Sequence, residues 1–166
     1  LVEDCYLHDM HHEGYAFYAA WNAEYQGNIT DGVVARNCIA ENCNTGFLIA
    51  NHSRNVTLYL CTMRSCPAQG LYIRRSPQNE PTFDGGPYGW VISNCLFTDN
   101  GAVGLVQTNA DKPDTFITGK IFNNVFINDG YGVQAAGQGF AIHIATYTGG
   151  GYAANSKIEM YNNVVY

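Results

Sequence analysis

Basic residues are scarce in this sequence of 166 residues. It has 8 Lys and Arg against 14 Asp and Glu, a net charge of −6 at pH 7, and no run of basic residues. Neutralising the phosphates of nucleic acid or the headgroups of an anionic membrane requires clustered cations. The composition therefore argues against nucleic acid and anionic membranes as partners.

Several common sequence signals are also missing. No segment approaches the roughly 20 consecutive apolar residues that a transmembrane helix needs, so we expect no membrane span. A glycine-rich phosphate loop, a serine nucleophile elbow and a dinucleotide fingerprint are all absent. These absences argue against the common nucleotide-dependent enzymes and serine hydrolases.

Uncharged residues that favour turns take the place of charges. Charged residues make up only 13% of the chain, whereas there are 18 Gly, 17 Asn and 12 Tyr. Asn and Gly tolerate the left-handed backbone conformation that tight turns require. The length is sufficient for one domain with a sizeable core. The composition is typical of a turn-rich all-β domain.

An internal repeat runs through the chain. Six segments align, namely EDCYLHDM, RNCIAENC, YLCTMRSC, SNCLFTDN, FNNVFIND and YNNVVY. Their third residues are Cys5, Cys38, Cys61, Cys95, Asn124 and Asn163, at intervals of 33, 23, 34, 29 and 39 residues. Five positions further along stand Met10, Cys43, Cys66, Asn100 and Asp129. A glycine then follows in each unit, at Gly14, Gly46, Gly70, Gly104 and Gly132.

The repeat predicts stacked coils of short strands. Each unit reads as strand, corner, strand, glycine turn, strand and a loop of variable length, with no helical period. Residue types that recur once per coil would stack as ladders at the strand spacing of about 4.8 Å. We therefore predict an all-β right-handed parallel β-helix of about five coils, with residues 1–166 as a single domain. An antiparallel sandwich is less consistent with the repeat, because it needs no shared corner residue.

The repeat also resembles a known family. The segments NCIAENCNTGFLI, NCLFTDNGAVGL and FNNVFINDGYGV are similar to the β-helix repeat of the pectate-lyase-like superfamily, and the resemblance covers nearly the whole chain. It implies an extracellular or cell-surface protein with a polysaccharide partner. It implies the fold more strongly than the activity, because such repeats occur in enzymes and in non-catalytic proteins.

The cysteines predict a ladder of thiols and not a set of three disulfides. Four of them occupy the first corner of successive units, where we expect them to be buried. Cys43 and Cys66 occupy the second corner of adjacent units. We expect this pair nearer the surface, with a disulfide between them as an open alternative. No CxxC pair is present, and a column of sulfur atoms does not surround a metal ion.

In this superfamily the strand after the glycine borders the substrate groove. Alternation in that strand predicts an outward column of Tyr18, Ala50, Arg74, Thr108 and His143. It predicts a neighbouring outward column of Ala16, Leu48, Tyr72, Val106 and Ala141. Arg74 is our candidate to neutralise a uronate carboxylate, and His143 is our candidate to exchange protons. Tyr18 and Tyr72 would bind substrate by stacking on sugars. The alternative is that all four are ordinary outward residues of an exposed sheet.

Two further segments contain candidate substrate-binding residues. The motif HDMHHEG includes His11 and His12, which could accept protons at the groove, although a solvated turn explains the motif equally simply. The long loop SPQNEPTFDGGPYG contains Glu80 and Asp84 and could form a groove wall or a stiff spacer. Histidine clusters bind transition metals and paired carboxylates bind calcium. We assign no metal ligands, and calcium is the one cofactor left open.

Two functions are compatible with these features. The first is a polysaccharide lyase or epimerase that acts on an acidic glycan through Arg74 and His143. The lack of carboxylates in the outward columns argues against a hydrolase that uses clustered aspartates. The second is a non-catalytic solenoid, such as an adhesin, a tailspike segment, a surface filament or a glycan-binding module.

Neither end of the sequence shows the cap that a solenoid needs. We therefore expect further β-helix coils or a neighbouring chain at the open ends, with this chain as a segment of a longer β-helix.

Overall fold

The computed structural model describes residues 1–10, 15–19, 30–50, 53–74, 87–101, 105–109, 118–130, 142–147 and 157–166. At 15, 18–19, 74, 105–109 and 143–147 it describes the main chain only. These ranges form nineteen strands, all paired in parallel, and no helix. None of the described segments is therefore a helix that could cross a membrane.

The strands, numbered in chain order, form three parallel sheets. Sheet A contains, in spatial order, β1 (Val2–Glu3), β5 (Val34–Arg36), β9 (Thr57–Tyr59), β12 (Tyr88–Ser93), β15 (Thr118–Phe122) and β18 (Lys157–Tyr161), with β4 (Thr30–Asp31) and β8 (Ser53–Arg54) beside this path. Sheet B contains β2 (Tyr6–His8), β6 (Ile39–Glu41), β10 (Thr62–Arg64), β13 (Leu96–Thr98), β16 (Val125–Ile127) and β19 (Val164–Val165). Sheet C contains β3 (Tyr15–Ala19), β7 (Thr45–Ala50), β11 (Gln69–Arg74), β14 (Leu105–Asn109) and β17 (His143–Tyr147).

The chain visits sheets A, B and C in turn, so one passage through the three sheets is one coil. The described ranges contain five such coils and the first two strands of a sixth. Each strand pairs with the equivalent strand of the next coil, for example Met63 with Ala40 on one side and Phe97 on the other. The predicted parallel β-helix of about five coils is confirmed.

Residues with positive φ turn the chain at the corners of each coil. Between sheets A and B they are Asp4, Asn37, Leu60, Asn94, Asn123 and Asn162, with φ between 52 and 56°. Between sheets B and C they are Asp9, Asn42, Ser65, Asp99 and Asn128, with φ between 50 and 59°. Asn and Asp adopt this conformation more readily than other residues with a side chain. The corners therefore account for much of the asparagine in the composition.

The predicted ladder forms at the corner between sheets A and B. In coils two to four each thiol lies between two main-chain carbonyls. One belongs to the preceding coil: Val2 at 3.7 Å from Cys38, Ala35 at 3.5 Å from Cys61 and Leu58 at 3.7 Å from Cys95. The other lies two residues earlier in the same coil, at 3.3, 3.5 and 3.3 Å. In the last two coils amides donate to the equivalent carbonyls: Asn124 to Ile92 at 3.0 Å and Asn163 to Ile121 at 2.9 Å. Cysteine and asparagine thus contact the same carbonyl position in different coils, and the asparagines donate to it.

A second ladder fills the corner between sheets B and C. The thiol of Cys66 lies 3.9 Å from the carbonyl of Ala40, and the amide of Asn100 donates to the carbonyl of Met63 at 2.9 Å. The expectation that Cys43 and Cys66 lie near the surface is wrong, because both are fully buried. All six cysteines are free, so the alternative of a disulfide between this pair is also wrong in this structure. Burial raises the pKa of Cys66 to about 11, which keeps its thiol protonated at neutral pH.

The repeated glycine has a different role from the predicted turn. Gly46 and Gly70 lie inside strands β7 and β11, and neither has a positive φ. A Cβ at Gly46 would lie 2.6 Å from the carbonyl oxygen of Gly70, and a Cβ at Gly70 would lie 2.8 Å from Nδ2 of Asn100. These glycines therefore allow close packing between coils beside the second ladder. Gly14, Gly104 and Gly132 lie outside the described residues.

The core lies between the three sheets and is stacked in the same way as the corners. Phe17 stacks on Phe47 with ring centroids 4.3 Å apart, and Phe97 stacks on Phe126 at 4.8 Å. The strand residues predicted to face inward in coils two and three are fully buried or nearly so: Phe47, Ile49, Leu71 and Ile73. Each coil thus buries its apolar residues against the same residues of its neighbours.

Leu60 is the one leucine among the described residues with positive φ, at 55°, and its side chain is 47% exposed. The same corner is occupied by Asn37 in the coil before and Asn94 in the coil after. We expect Leu60→Asn to raise the free energy of unfolding by about 1 kcal/mol, because a left-handed conformation is costly for leucine. Urea denaturation measures this change.

The matched control for Leu60→Asn is Val164→Asn, which also replaces an exposed apolar residue but in a strand without positive φ. We expect no gain from the control. An increase of the same size in both variants would show that removal of exposed apolar surface is the cause, and the backbone explanation would fail.

Asp129 ends the second ladder among the described residues. Its Oδ1 accepts hydrogen bonds from the main-chain N–H and the Nδ2 of Asn100, at 3.0 and 2.9 Å. Its Oδ2 is buried without a hydrogen-bond partner. Burial, with a smaller contribution from the carboxylate of Asp99, raises the pKa of Asp129 to about 6. In this ladder Asn100 donates to the carbonyl of Met63 in the preceding coil. Phe97 is the residue of the next coil that pairs with Met63. An amide at position 129 would therefore face the carbonyl of Phe97.

Asp129→Asn is therefore expected to stabilise the fold at pH 7. The pKa of Asp129 in the folded protein lies above its unfolded value of 3.8. The protonated carboxyl therefore contributes its full stabilisation of the fold below pH 3.8, and this stabilisation is lost as the pH rises through 6. With screening at this partly exposed site, we expect a gain of about 1 to 2 kcal/mol at pH 7 and little gain at pH 3.5. Chemical denaturation across this range measures it, with the exposed Asp4→Asn as control. A gain that does not depend on pH would contradict the explanation.

Candidate functional site

Three of the predicted site residues share one register position across sheet C. Tyr18 pairs with Leu48, Leu48 with Tyr72, Tyr72 with Leu105, and Leu105 with His143. Tyr18, Tyr72 and His143 therefore occupy alternate strands of one column, at intervals of about 9.6 Å along the sheet. Residues at the same register of a parallel sheet belong to the same face.

Arg74 belongs to the same face but to the next column. It follows Tyr72 by two residues in β11 and pairs with Ala50 and Gln107. The prediction that Tyr18 and His143 share the column of Arg74 is wrong, since both align with Tyr72. The predicted positions of Thr108 and Val106 are also wrong, because Val106 pairs with the core residue Ile73. The repeated glycine did not fix this register. Tyr72 stands two residues after Gly70, but its partner Leu105 stands one residue after Gly104. Tyr18 stands four residues after Gly14, but its partner Leu48 stands two residues after Gly46.

The outer face of sheet C is closed to solvent at coil two. Leu48 and Ala50 occupy the same columns as Tyr72 and Arg74, yet they are only 1% and 2% exposed, and neither belongs to the core cluster. Tyr72 in coil three is partly exposed. In these two columns, Tyr72 is therefore the accessible residue among the described side chains of coils two and three.

The remaining predicted site residues fall outside the described ranges. His11, His12, Glu80 and Asp84 are in this group, and their roles stay predictions. Among the residues that the structure describes, no three His, Cys, Asp or Glu side chains are grouped so that they could hold a metal ion.

Sheet B presents a second polar cluster, which the sequence reasoning did not identify as a site. The hydroxyl of Tyr6 donates to the carboxylate of Glu41, and Arg64 Nη2 donates to Oε2 of the same carboxylate at 2.8 Å. The ring of His8 stacks on that of Tyr6 with centroids 4.9 Å apart, and its Nδ1 lies 2.8 Å from Oδ2 of Asp9. The cluster links the first three coils on an exposed surface.

Electrostatics define what this cluster can do. The hydrogen bond from Arg64 holds the pKa of Glu41 below its usual value, and the hydrogen bond to Glu41 raises the pKa of Tyr6. At neutral pH the tyrosine is therefore protonated and the carboxylate is ionised and paired with Arg64. The arrangement offers exposed rings and hydrogen-bond donors for binding, and no free general base on Tyr6 or Glu41.

The signal for this cluster was present in the repeat. The sixth residues of the first three aligned segments are His8, Glu41 and Arg64, a column of complementary charge, and they pair in register in sheet B. The predicted site was placed on the strand after the glycine, whereas this column lies in sheet B. A search of every aligned position for charge complementarity would have found it.

Comparison with known proteins defines the family and little more. The family model described as "Right handed beta helix region" matches residues 1–165, nearly the whole chain. No curated protein and no solved structure matches the chain. The family match agrees with the parallel stacking of the three sheets described above.

Proposed function

The chain belongs to the right-handed β-helix family, and we propose that it binds an acidic polysaccharide along the outer face of sheet C and cleaves it as a lyase. Members of this fold class are carbohydrate-related or structural solenoids. Beyond the family match, we propose an acidic glycan as the substrate, a lyase reaction, and a location outside the cytoplasm, where such polymers occur.

The single observation that carries the proposal is the common face of Tyr18, Tyr72, Arg74 and His143. The register of β3, β7, β11, β14 and β17 supports it. The main-chain positions of Arg74 and His143 are separated by two strands and two residues, about 12 Å. A long arginine side chain and one bound sugar unit can span this interval.

Each residue then has a distinct chemical task. The guanidinium of Arg74 would pair with the uronate carboxylate, which acidifies the adjacent C–H. His143 would accept that proton as a general base. The electron pair of that C–H bond then forms a carbon–carbon double bond in the sugar as the bond to the neighbouring glycosidic oxygen breaks, and the leaving oxygen takes up a proton from water. Tyr72 would hold a flanking sugar by stacking, whereas the buried Leu48 separates Tyr18 from this part of the face.

A non-catalytic glycan-binding solenoid is the second candidate. The burial of Leu48 and Ala50 favours it, because it shortens the accessible part of the face on which a polymer would lie. The continuous corner ladders also favour it, since they give a rigid rod without any requirement for a reaction.

The test is an assay of lyase activity on polygalacturonate, alginate and chondroitin, read as ultraviolet absorption of new unsaturated sugar ends. We expect activity on at least one polymer and a loss of about 100-fold or more in kcat for Arg74→Ala and for His143→Ala. Tyr72→Ala should mainly raise KM, because stacking contributes to binding.

The matched control is Arg36→Ala, which removes an exposed arginine that pairs with Glu3 on sheet A. It should leave the rate unchanged. Binding without cleavage, weakened by Tyr72→Ala, would favour the non-catalytic solenoid. Absence of both binding and cleavage on all three polymers would contradict both candidates.

A further inference from the structure

One exposed asparagine carries a sequence signal that neither the fold nor the proposed reaction uses. Asn55, Val56 and Thr57 form an Asn-x-Thr triplet, which is the acceptor signal for N-linked glycosylation. Among the described residues, the other asparagines with positive φ have no Ser or Thr two positions later: Asn37, Asn42, Asn94, Asn123, Asn128 and Asn162. The triplet is therefore not a by-product of the corner pattern.

The amide group of Asn55 is accessible. Asn55 lies between β8 and β9, has φ of 52° and is exposed. Its main-chain N–H donates to the carbonyl of Tyr88 at 3.0 Å, so the main chain fixes this corner. In the side chain, Nδ2 donates to Oδ1 of Asp31 in the preceding coil at 2.8 Å. An amide has two N–H donors, and one of them remains when the other is substituted.

The neighbours of Asn55 in the same column are glycines. Gly32 stands in the coil before and Gly89 in the coil after, with φ of 69 and 68°. A Cβ at Gly89 would lie 2.7 Å from Oδ1 of Asn55, so the amide oxygen uses the space on that side. A Cβ at Gly32 would meet no atom within 4 Å. The amide nitrogen is directed to the coil of Gly32, where a bulky substituent has open space.

Packing does not explain the hydroxyl of Thr57. This residue is partly exposed in β9 and pairs with Val34 in the preceding coil and Val91 in the next. Valine has nearly the same shape as threonine and lacks the hydroxyl. The one hydroxyl in this part of the column is thus also the one that completes the glycosylation signal.

We propose that Asn55 is an acceptor of an N-linked glycan. Its Nδ2 attacks the anomeric carbon of a lipid-pyrophosphate-linked oligosaccharide. A carbon–nitrogen bond forms, the bond from that carbon to the pyrophosphate oxygen breaks, and one amide proton passes to a base of the transferring enzyme. The proposal rests on the location outside the cytoplasm given under the proposed function. The glycan projects from sheet A and leaves the polysaccharide face of sheet C open.

The test is expression with a signal peptide in the secretory pathway of mammalian cells, followed by peptide mapping in a mass spectrometer. Protein from cells and from medium is mapped, so occupancy is read even when secretion fails. We expect a glycan on Asn55 in most molecules, and an occupancy at least about tenfold lower for Thr57→Val. Thr57→Ser keeps the signal and should keep the glycan. The map separates Asn55 from the triplets at Asn28 and Asn51, which lie outside the described residues.

The matched control is Thr62→Val, which replaces a partly exposed threonine of β10 that belongs to no such triplet. It should leave the occupancy unchanged. The glycosylated protein and the Thr57→Val variant should also have the same urea midpoint, because the glycan projects into open space.

An unmodified Asn55, an occupancy insensitive to Thr57→Val, or a lower urea midpoint in the glycosylated protein would each overturn the proposal. Lyase activity is measured on the same material. A glycan on Asn55 in a protein without lyase activity would sustain the acceptor and reject the proposed reaction. Lyase activity with an unmodified Asn55 would reject the acceptor alone.

Discussion

The hydrogen bond from a corner side chain to a main-chain carbonyl of the preceding coil is the interaction on which this structure depends. The contacted carbonyls belong to residues of sheet A that also pair with the next coil, as Ala35 pairs with Leu58. The thiols of coils two to four lie between this carbonyl and one in their own coil, and the amides of the last two coils donate to it. Because the donor is part of the repeat, each coil fixes the register of the next. The variable loops can then differ in length without disturbing the core.

The same constraint places the candidate sites. Fixed register across sheet C aligns Tyr18, Tyr72 and His143, although the intervals between them in the sequence are unequal. Fixed register in sheet B brings Glu41 against Arg64. In sheet A the register is interrupted where Tyr88 pairs with Thr118 and Trp90 with Gly119, which makes Gly89 an extra residue. The register of the coils thus determines which outward residues share a column and can act together.

The repeat predicted much of the fold because corners and core recur with the same residue types. Cys5, Cys38, Cys61 and Cys95 could be aligned by eye, and the structure stacks them as expected. The register of β14 and β17 could not be predicted, since outward residues do not repeat and loop lengths vary. The bulge between β12 and β15 was also unpredictable, because no local pattern marks Gly89 as an extra residue in its strand. Burial of Leu48 depends on packing that no local pattern encodes.

The most direct test of the ladder compares two variants of the buried Cys95. An unsupported amide in a core costs far more than a small apolar side chain, so a simple packing view ranks Cys95→Val above Cys95→Asn in stability. If the corner requires a donor to the carbonyl of Leu58, as Asn124 provides for Ile92 in the next coil, the order is reversed. We predict that equilibrium unfolding in urea will find Cys95→Asn more stable than Cys95→Val by about 1 kcal/mol or more. A valine variant as stable as the asparagine variant would contradict the ladder as the basis of the fold.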